Sequence, residues 1–326
     1  MRKYLPGLLL CCAGAAAAVA ANRALPEVSA LLVSILLGAV LSNATTPRES
    51  WAPGVAFTGK RLLRAGIVLL GLQLVLGDIV ALGAGMVLVV VAVVGLGIAG
   101  ALLVGRLLGL GGKLTLLIGS GFSICGAAAV AGVDSMIDAD ERDLATAIAL
   151  VVLFGTGMIP LVPLLAGLLG MGQHAAGQWA GASVHEVAQV VAAGSAMGPE
   201  ALKVALVVKL ARVLMLAPLT LAIGWWLRRR HAAAPGQHGS RPPLVPGFVL
   251  GFLLMVALAS TRLLPHQLLA VAKLVQTALL AAAMFALGMG VRIRSLAQVG
   301  PRPFVLGAVT TVWVAAVAWC GVALAR

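Results

Sequence analysis

The stretch GSGFSICGAAAVAG, residues 119–132, is built almost entirely from small side chains. It lies in one of the most apolar regions of the chain, yet it is poor in the Leu and Val that fill a lipid-facing helix. Stripes of small residues let helices approach closely, so tight packing is the plainer reading. Glycine at this density also lowers helix propensity, and Gly119, Ser120 and Gly121 at mid-segment suit an unwound turn. Free backbone at membrane depth survives only inside protein or around a cavity. A half-helix that starts at such a break aims its N–H groups and positive dipole end at an anion. We therefore expect a break here, with Gly119, Ser120, Gly121, Ser123, Cys125 and Gly126 as candidate substrate-binding residues.

Working outward, the chain of 326 residues is 61% hydrophobic and only 10% charged, against about 25% charged in soluble domains. Mean hydropathy is +1.09. Apolar segments long enough to cross the bilayer recur at 5–22, 28–43, 62–78, 80–104, 114–133, 143–169, 180–197, 202–227, 244–261, 267–290 and 303–325. The alternation of a membrane β-barrel is absent. The expectation is an all-α, polytopic helical membrane protein with about eleven transmembrane segments, forming a single transmembrane domain over 1–326. The run RRRHAAAPGQHGSRPP (228–243) reads as a cytoplasmic linker between halves.

The net charge of +13 does not point to nucleic acid, because Lys and Arg collect in short loops between apolar segments, as topology signals do. Placing the N-terminus inside puts Arg48, Lys60, Arg61, Arg64, Arg106, Lys113 and Arg228–Arg230 on the cytoplasmic side. It puts the acidic run DSMIDADERD (134–143) outside and makes the C-terminus periplasmic or extracellular. The first segment also has the makings of a cleavable signal peptide, although a polytopic chain favours a retained helix. The four cysteines form no disulfide framework or metal-ligand spacing. An echo between LLRAGIVLLGLQLVLGDI (62–79) and LLAAAMFALGMGVRIRSL (279–296), running in opposite directions, suggests an inverted repeat of the kind found in secondary transporters.

Two further stretches carry chemistry. GASVHEVAQVVAAG (181–194) buries His185, Glu186 and Gln189. Read as one helix, it puts His185 with Gln189 on one face and Ser183 with Glu186 on another. Ionisable groups at membrane depth mark pathways, so these three are the candidate ion-coupling residues, His185 being suited to proton transfer. KVALVVKLARVLMLAPLTLAIGWW (203–226) holds Lys209 and Arg212 one turn apart, well inside an apolar segment. Snorkelling to the interface would explain them. We expect them instead to be substrate-binding residues that supply positive charge to an anion, Arg with a planar fork suited to oxyanions. Pro160, Pro163 and Pro218 predict kinks in the sixth and eighth segments.

These blocks, GSGFSICGAAAVAG, SVHEVAQVVAAG, VVKLARVLMLAPL and LLRAGIVLLGLQL, occur in an order that resembles the sulfate exporter family, the YeiH-type conserved bacterial inner-membrane proteins. The likeness covers about 28–325. It implies a multi-span inner-membrane transporter of sulfate, sulfite or related sulfur oxyanions, similar at clan level to cation–proton antiporters and anion transporters with inverted repeats. The resemblance supplies no site residues; those above come from the residues themselves.

The functional expectation is a secondary transporter exporting a small anion, not an enzyme, with no cofactor and no metal. Its partners are a small inorganic or organic anion, the lipid bilayer, and protons or sodium as coupling ions; a homo-oligomer is left open. The alternatives are a carrier of another organic anion, a cation-coupled antiporter, and an intramembrane hydrolase using Ser123 with His185 as base.

Overall fold

The computed structural model describes residues 2–24, 29–232, 245–291 and 300–325, and all of its regular structure is helical. In chain order the helices are α1 (Leu5–Ala24), α2 (Ala30–Ala44), α3 (Ala52–Phe57), α4 (Leu63–Leu70), α5 (Leu76–Ala81) and α6 (Gly83–Leu107). Then come α7 (Gly112–Ser123), α8 (Ala127–Ile137), α9 (Glu141–Leu168), α10 (Gln173–Ser183) and α11 (Val187–Met197). The chain continues with α12 (Pro199–Leu214), α13 (Leu216–Ala232), α14 (Gly247–Ser260), α15 (His266–Met289) and α16 (Arg302–Leu324). One π turn over Thr58–Leu62 joins α3 to α4. The multi-pass, all-α membrane architecture follows: six helices are long and apolar enough to cross a bilayer, among them α6, α9 and α16, and shorter apolar helices accompany them.

Two of the apolar segments do not run straight through. A continuous helix over 112–137 would hold its ends roughly 35–40 Å apart, yet the Lys113 ammonium donates to the Asp138 carbonyl at 2.7 Å. Gly121 likewise faces Val130 across the bend. α7 and α8 therefore form a helical hairpin whose ends share one end of the bundle. α10 and α11 do the same. Gly198 lies against the Gln173 side chain, and His174 meets Glu200 at 3.3 Å. Gly177 and Gly181 pack on Ala201 and Ala205, so α10 runs parallel to α12. α11 returns antiparallel to α12, with Gly194 against Leu202.

The 28-residue helix α9 leaves the mouth of the first hairpin and arrives at the mouth of the second. The hairpins thus enter from opposite ends and their tips meet at mid-bundle. Their tips also match in sequence: Gly121, Ser123, Ile124, Ala128 and Val130 correspond to Gly181, Ser183, Val184, Ala188 and Val190. That pair is an inverted repeat of 3-dimensional structure. The echo proposed for 62–79 and 279–296 extends beyond the described residues at 292–296. Where described, α4 and α15 do run antiparallel, with Gly59 near Leu287 and Gly66 near Leu280.

The helices form two packed groups. α1, α2, α3, α4, α14 and α15 make one. In it Ser34 Oγ donates to the Ala281 carbonyl at 2.6 Å, and Gly14 of α1 receives the Phe285 ring. The hairpins, α6, α9, α12 and α16 make the other, and α2 touches α11 across the seam.

Several expectations change in detail. The break falls at Ile124–Gly126 rather than at Gly119–Gly121, because α7 keeps its hydrogen bonds through Ser123. The segment at 180–197, read as one helix, begins at Gln173 and breaks at Val184–Glu186. The acidic run 134–143 lies at the same end as Lys113 rather than opposite it, because α8 turns back. α12 ends at Leu214, four residues before Pro218, whose missing N–H cannot continue the ladder. Pro160 and Pro163 lie inside α9. Helix α13 covers 228–232 of the expected linker, and 233–243 lie outside the described residues.

The hairpin topology is testable in a protein with Cys12 and Cys320 changed to serine. Cysteines at positions 113 and 138 should react with a membrane-impermeant maleimide from one side of the membrane, and cysteines at 174 and 200 only from the other. Labelling of 113 and 138 from opposite sides would show a straight span.

Candidate functional site

In each hairpin one helix ends and another begins in the interior of the bundle, so unpaired carbonyls and unpaired N–H groups collect at mid-depth. The structure answers the carbonyls with two cations from α12. Lys209, fully buried, donates to the carbonyls of Ile124 (2.8 Å) and Val184 (2.8 Å) and to that of His185. Its three protons are thereby used. Arg212, also fully buried, donates through Nε to Ser123 O (2.9 Å) and through Nη2 to Phe122 O (2.8 Å). Its Nη1 reaches Gly181 O (3.1 Å) and Val184 O (2.9 Å). Each cation bridges the C-terminal ends of α7 and α10, where helix dipoles leave negative charge.

The N–H groups are answered by Glu186. Its Oε1 accepts from the Ala127 N–H at the start of α8, at 3.0 Å. The same side chain caps its own helix α11, taking the Gln189 backbone N–H in a capping box. Gln189 Oε1 returns the favour by accepting from Glu186 N at 3.0 Å. One carboxylate thus sits between two inward-facing helix N-termini. Gly126 makes room for it: φ is +75°, a region open to glycine, and a Cβ there would collide with the Glu186 side chain.

His185 lies at the second tip, fully buried, against Phe122 with ring centroids 4.4 Å apart and planes tilted by 44°. Its Nδ1 faces the Phe122 carbonyl at 3.3 Å and so carries the hydrogen. Its Nε2 faces Thr311 Oγ1 at 3.1 Å. Both nitrogens are engaged, and Ser123 Oγ has no hydrogen-bond partner, so no Ser123–His185 dyad forms and the hydrolase alternative loses its geometry.

The structure therefore gathers Ser123, Cys125, Gly126, His185, Glu186, Gln189, Lys209 and Arg212 around the two tips. Gly119, Ser120 and Gly121 fall outside that ring. Gly119 packs on Ala101, Gly121 on Val130 and Val151, and Ser120 Oγ donates back to Leu117 O at 3.0 Å. The helical face expected for His185 and Gln189 does not exist, because His185 precedes α11 and lies in the break. Lys209 and Arg212 are neither snorkelling nor turned to open space; their donors serve the backbone. Cys125 and Glu186 are the members nearest the surface, 6% and 7% exposed. Sequence reading missed Phe122, Gly155, Thr156 and Thr311. The adjacent threonines 310 and 311 in an otherwise apolar final segment were the available signal. Gln189 packs on Gly155 of α9, and both Gln189 Nε2 and the hydroxyl of the next residue along α9, Thr156 Oγ1, are buried without partners. Among the described residues no cluster of His, Cys, Asp and Glu has the makings of a metal site.

Replacing Lys209 by methionine strands two buried carbonyls, those of Ile124 and His185, because the Val184 carbonyl keeps Arg212 Nη1; each unsatisfied buried group costs about 1–3 kcal/mol. Lys209→Met should lower the thermal unfolding temperature in detergent far more than Lys273→Met, which removes an exposed lysine. Equal, small shifts would show that the carbonyls find other partners. Gly126→Ala should destabilise as well, through both strain at positive φ and collision with Glu186.

The chain matches the family described as Conserved hypothetical protein 698 over residues 6–307. It is 49% identical over 324 residues to a UPF0324 membrane protein of Corynebacterium glutamicum, covering 99% of this chain and 93% of the relative. It is 39% identical over 326 residues to a UPF0324 membrane protein of Pseudomonas aeruginosa, covering 96% and 92%. With the UPF0324 membrane protein TauZ of Paracoccus denitrificans it shares 38% over 289 residues, covering 88% and 85%. These names describe membrane proteins and assign no enzymatic activity. No solved structure matches the chain. The protein belongs to the conserved hypothetical protein 698 family, the UPF0324 membrane proteins.

Proposed function

We propose that this protein is a secondary transporter that carries a small oxyanion, sulfate, sulfite or a related sulfur species, across the bacterial inner membrane by alternating access. The observation that carries the reading is the meeting of two oppositely entering hairpins, with two helix N-termini converging on one buried acceptor site at mid-bundle. Discontinuous helices of this kind present N–H groups to anions in transporters. Lys209 and Arg212 set the potential of the site from behind, while Gly126, Cys125, Glu186 and Gln189 face the ligand. Ser123 and His185 line its rear wall.

In this reading the hairpin group moves against the group of α1, α2, α4, α14 and α15, and the seam where α2 meets α11 opens the site to either side. The N-terminus lies in the cytoplasm and the C-terminus outside. Because both hairpins turn back, two reversals cancel and the C-terminal side is the same as for eleven straight spans. The basic residues Arg48, Lys60, Arg61, Arg64, Arg106 and Lys113 still favour the cytoplasm. Export, with protons or sodium as the coupled ion, is the working direction.

Proteoliposomes loaded with unlabelled sulfate should accumulate external labelled sulfate or sulfite by counterflow, with saturation. Gln189→Ala, which removes one donor from the site, should raise KM by up to about tenfold, the worth of one hydrogen bond, with kcat nearly unchanged. Flux that is linear in concentration and unaffected by internal anion would mean a channel, and no flux with any sulfur oxyanion would exclude this substrate class.

A further inference from the structure

The Glu186 carboxylate occupies the place a substrate anion needs. It takes the Ala127 N–H of the first hairpin at 3.0 Å and the capping N–H of its own hairpin, the two donors best aimed at the meeting point of the tips. Two anions at one such point repel strongly in a water-poor interior. A second feature marks the point as a ligand site and not merely a capped helix end. Gln189 Nε2, on a fully buried side chain, has no hydrogen-bond partner. Its Oε1 is held by the Glu186 N–H within the same capping box, which fixes the amide against Gly155 of α9 and leaves the NH2 group with a donor to spare.

We propose that Glu186 is a tethered competitor for the transported anion: the ligand takes the seat between the two helix N-termini only when the Glu186 carboxylate has bound a proton and given up those donors. The proposal rests on the anion-carrier reading and deepens it by naming the coupling ion and the residue that couples. In the step, one proton from solution adds to a Glu186 oxygen. The neutral carboxyl no longer competes for the Ala127 N–H, and the oxyanion accepts that bond and the Gln189 NH2. Release of the anion reverses both events, and the ionised carboxylate closes the empty site again.

The groups around Glu186 are consistent with this role. Cys125 faces it from the first tip and Lys209 from α12, with Arg212 beyond. His185 precedes it with both nitrogens occupied. From α9, Gly155 packs on Gln189, and α2, packed on α11, carries no titratable side chain. Glu186 is the sole carboxylate among these neighbours, and its slight exposure gives a proton a route in.

The test compares the full-length protein with Glu186→Gln and Glu186→Ser in detergent, the serine retaining an N-cap oxygen in case the amide disturbs folding. Sulfate binding is followed by thermal shift between pH 5 and 8, with proton uptake read by a dye in weakly buffered solution; sulfite, which itself exchanges a proton in this range, is scored for binding alone. The natural protein should bind more weakly as pH rises, approaching tenfold per unit once the carboxylate is ionised, as one linked proton requires. It should take up about one proton per anion bound, an upper value set by the same linkage. Both variants should bind with little pH dependence and without proton uptake, at least as tightly as the natural protein at pH 8. Folded variants that keep the full pH slope, or that lose binding, overturn the role of Glu186 while leaving the anion reading in place. Failure of all three proteins to bind either anion at any pH overturns the anion reading and this proposal with it.

Discussion

Unpaired carbonyls at two helix ends in the middle of a membrane bundle are the constraint around which this protein is organised. Neither lipid nor water is there to receive them, and each hairpin tip leaves several. Lys209 and Arg212 meet that need together, bonding Phe122, Ser123 and Ile124 from one hairpin and Gly181, Val184 and His185 from the other. The cations thereby do two things. They tie the tips together, and they set positive charge against the negative ends of two dipoles, so that neither the charge nor the backbone is stranded.

The opposite ends of the broken helices have the complementary problem, and one carboxylate addresses it. Glu186 serves two N-termini because Gly126 has no side chain and a backbone that only glycine adopts freely. The asymmetry between the two matching tips follows from this. Where the first has Cys125, Gly126 and Ala129, the second has His185, Glu186 and Gln189. One tip supplies space and donors, and the other supplies the side chains that fill the space. A near-symmetric pair of hairpins thus yields a single site.

Function rests on how firmly each part is held. The cations and the C-terminal carbonyls are fully buried and bonded, which suits a fixed frame. Glu186 and Cys125 are slightly exposed, and the buried Gln189 amide keeps a free donor. A site with a rigid back and an exchangeable front suits the alternating access proposed above. The same arrangement leaves His185 and Ser123, which a sequence reading pairs as base and nucleophile, bonded to other groups or to none.

Much was legible in the residues themselves. Composition and apolar segment lengths determined an all-α membrane protein, since few charges and repeated twenty-residue apolar runs admit no other packing. The small-residue stretch at 119–132 announced a break, and buried His185, Glu186, Lys209 and Arg212 announced a polar centre, because such groups are costly in lipid without a purpose. The tertiary structure alone decided that the two broken segments turn back. A three-residue break has the same composition whether the chain continues or reverses, and only contacts such as Lys113 with Asp138 and Gln173 with Gly198 distinguish the two. It also decided what the cations bond. Residue type gives Lys209 and Arg212 their charge, but whether they meet a ligand or the backbone depends on carbonyls contributed by segments some twenty-five to ninety residues away, which spacing within one helix cannot reveal.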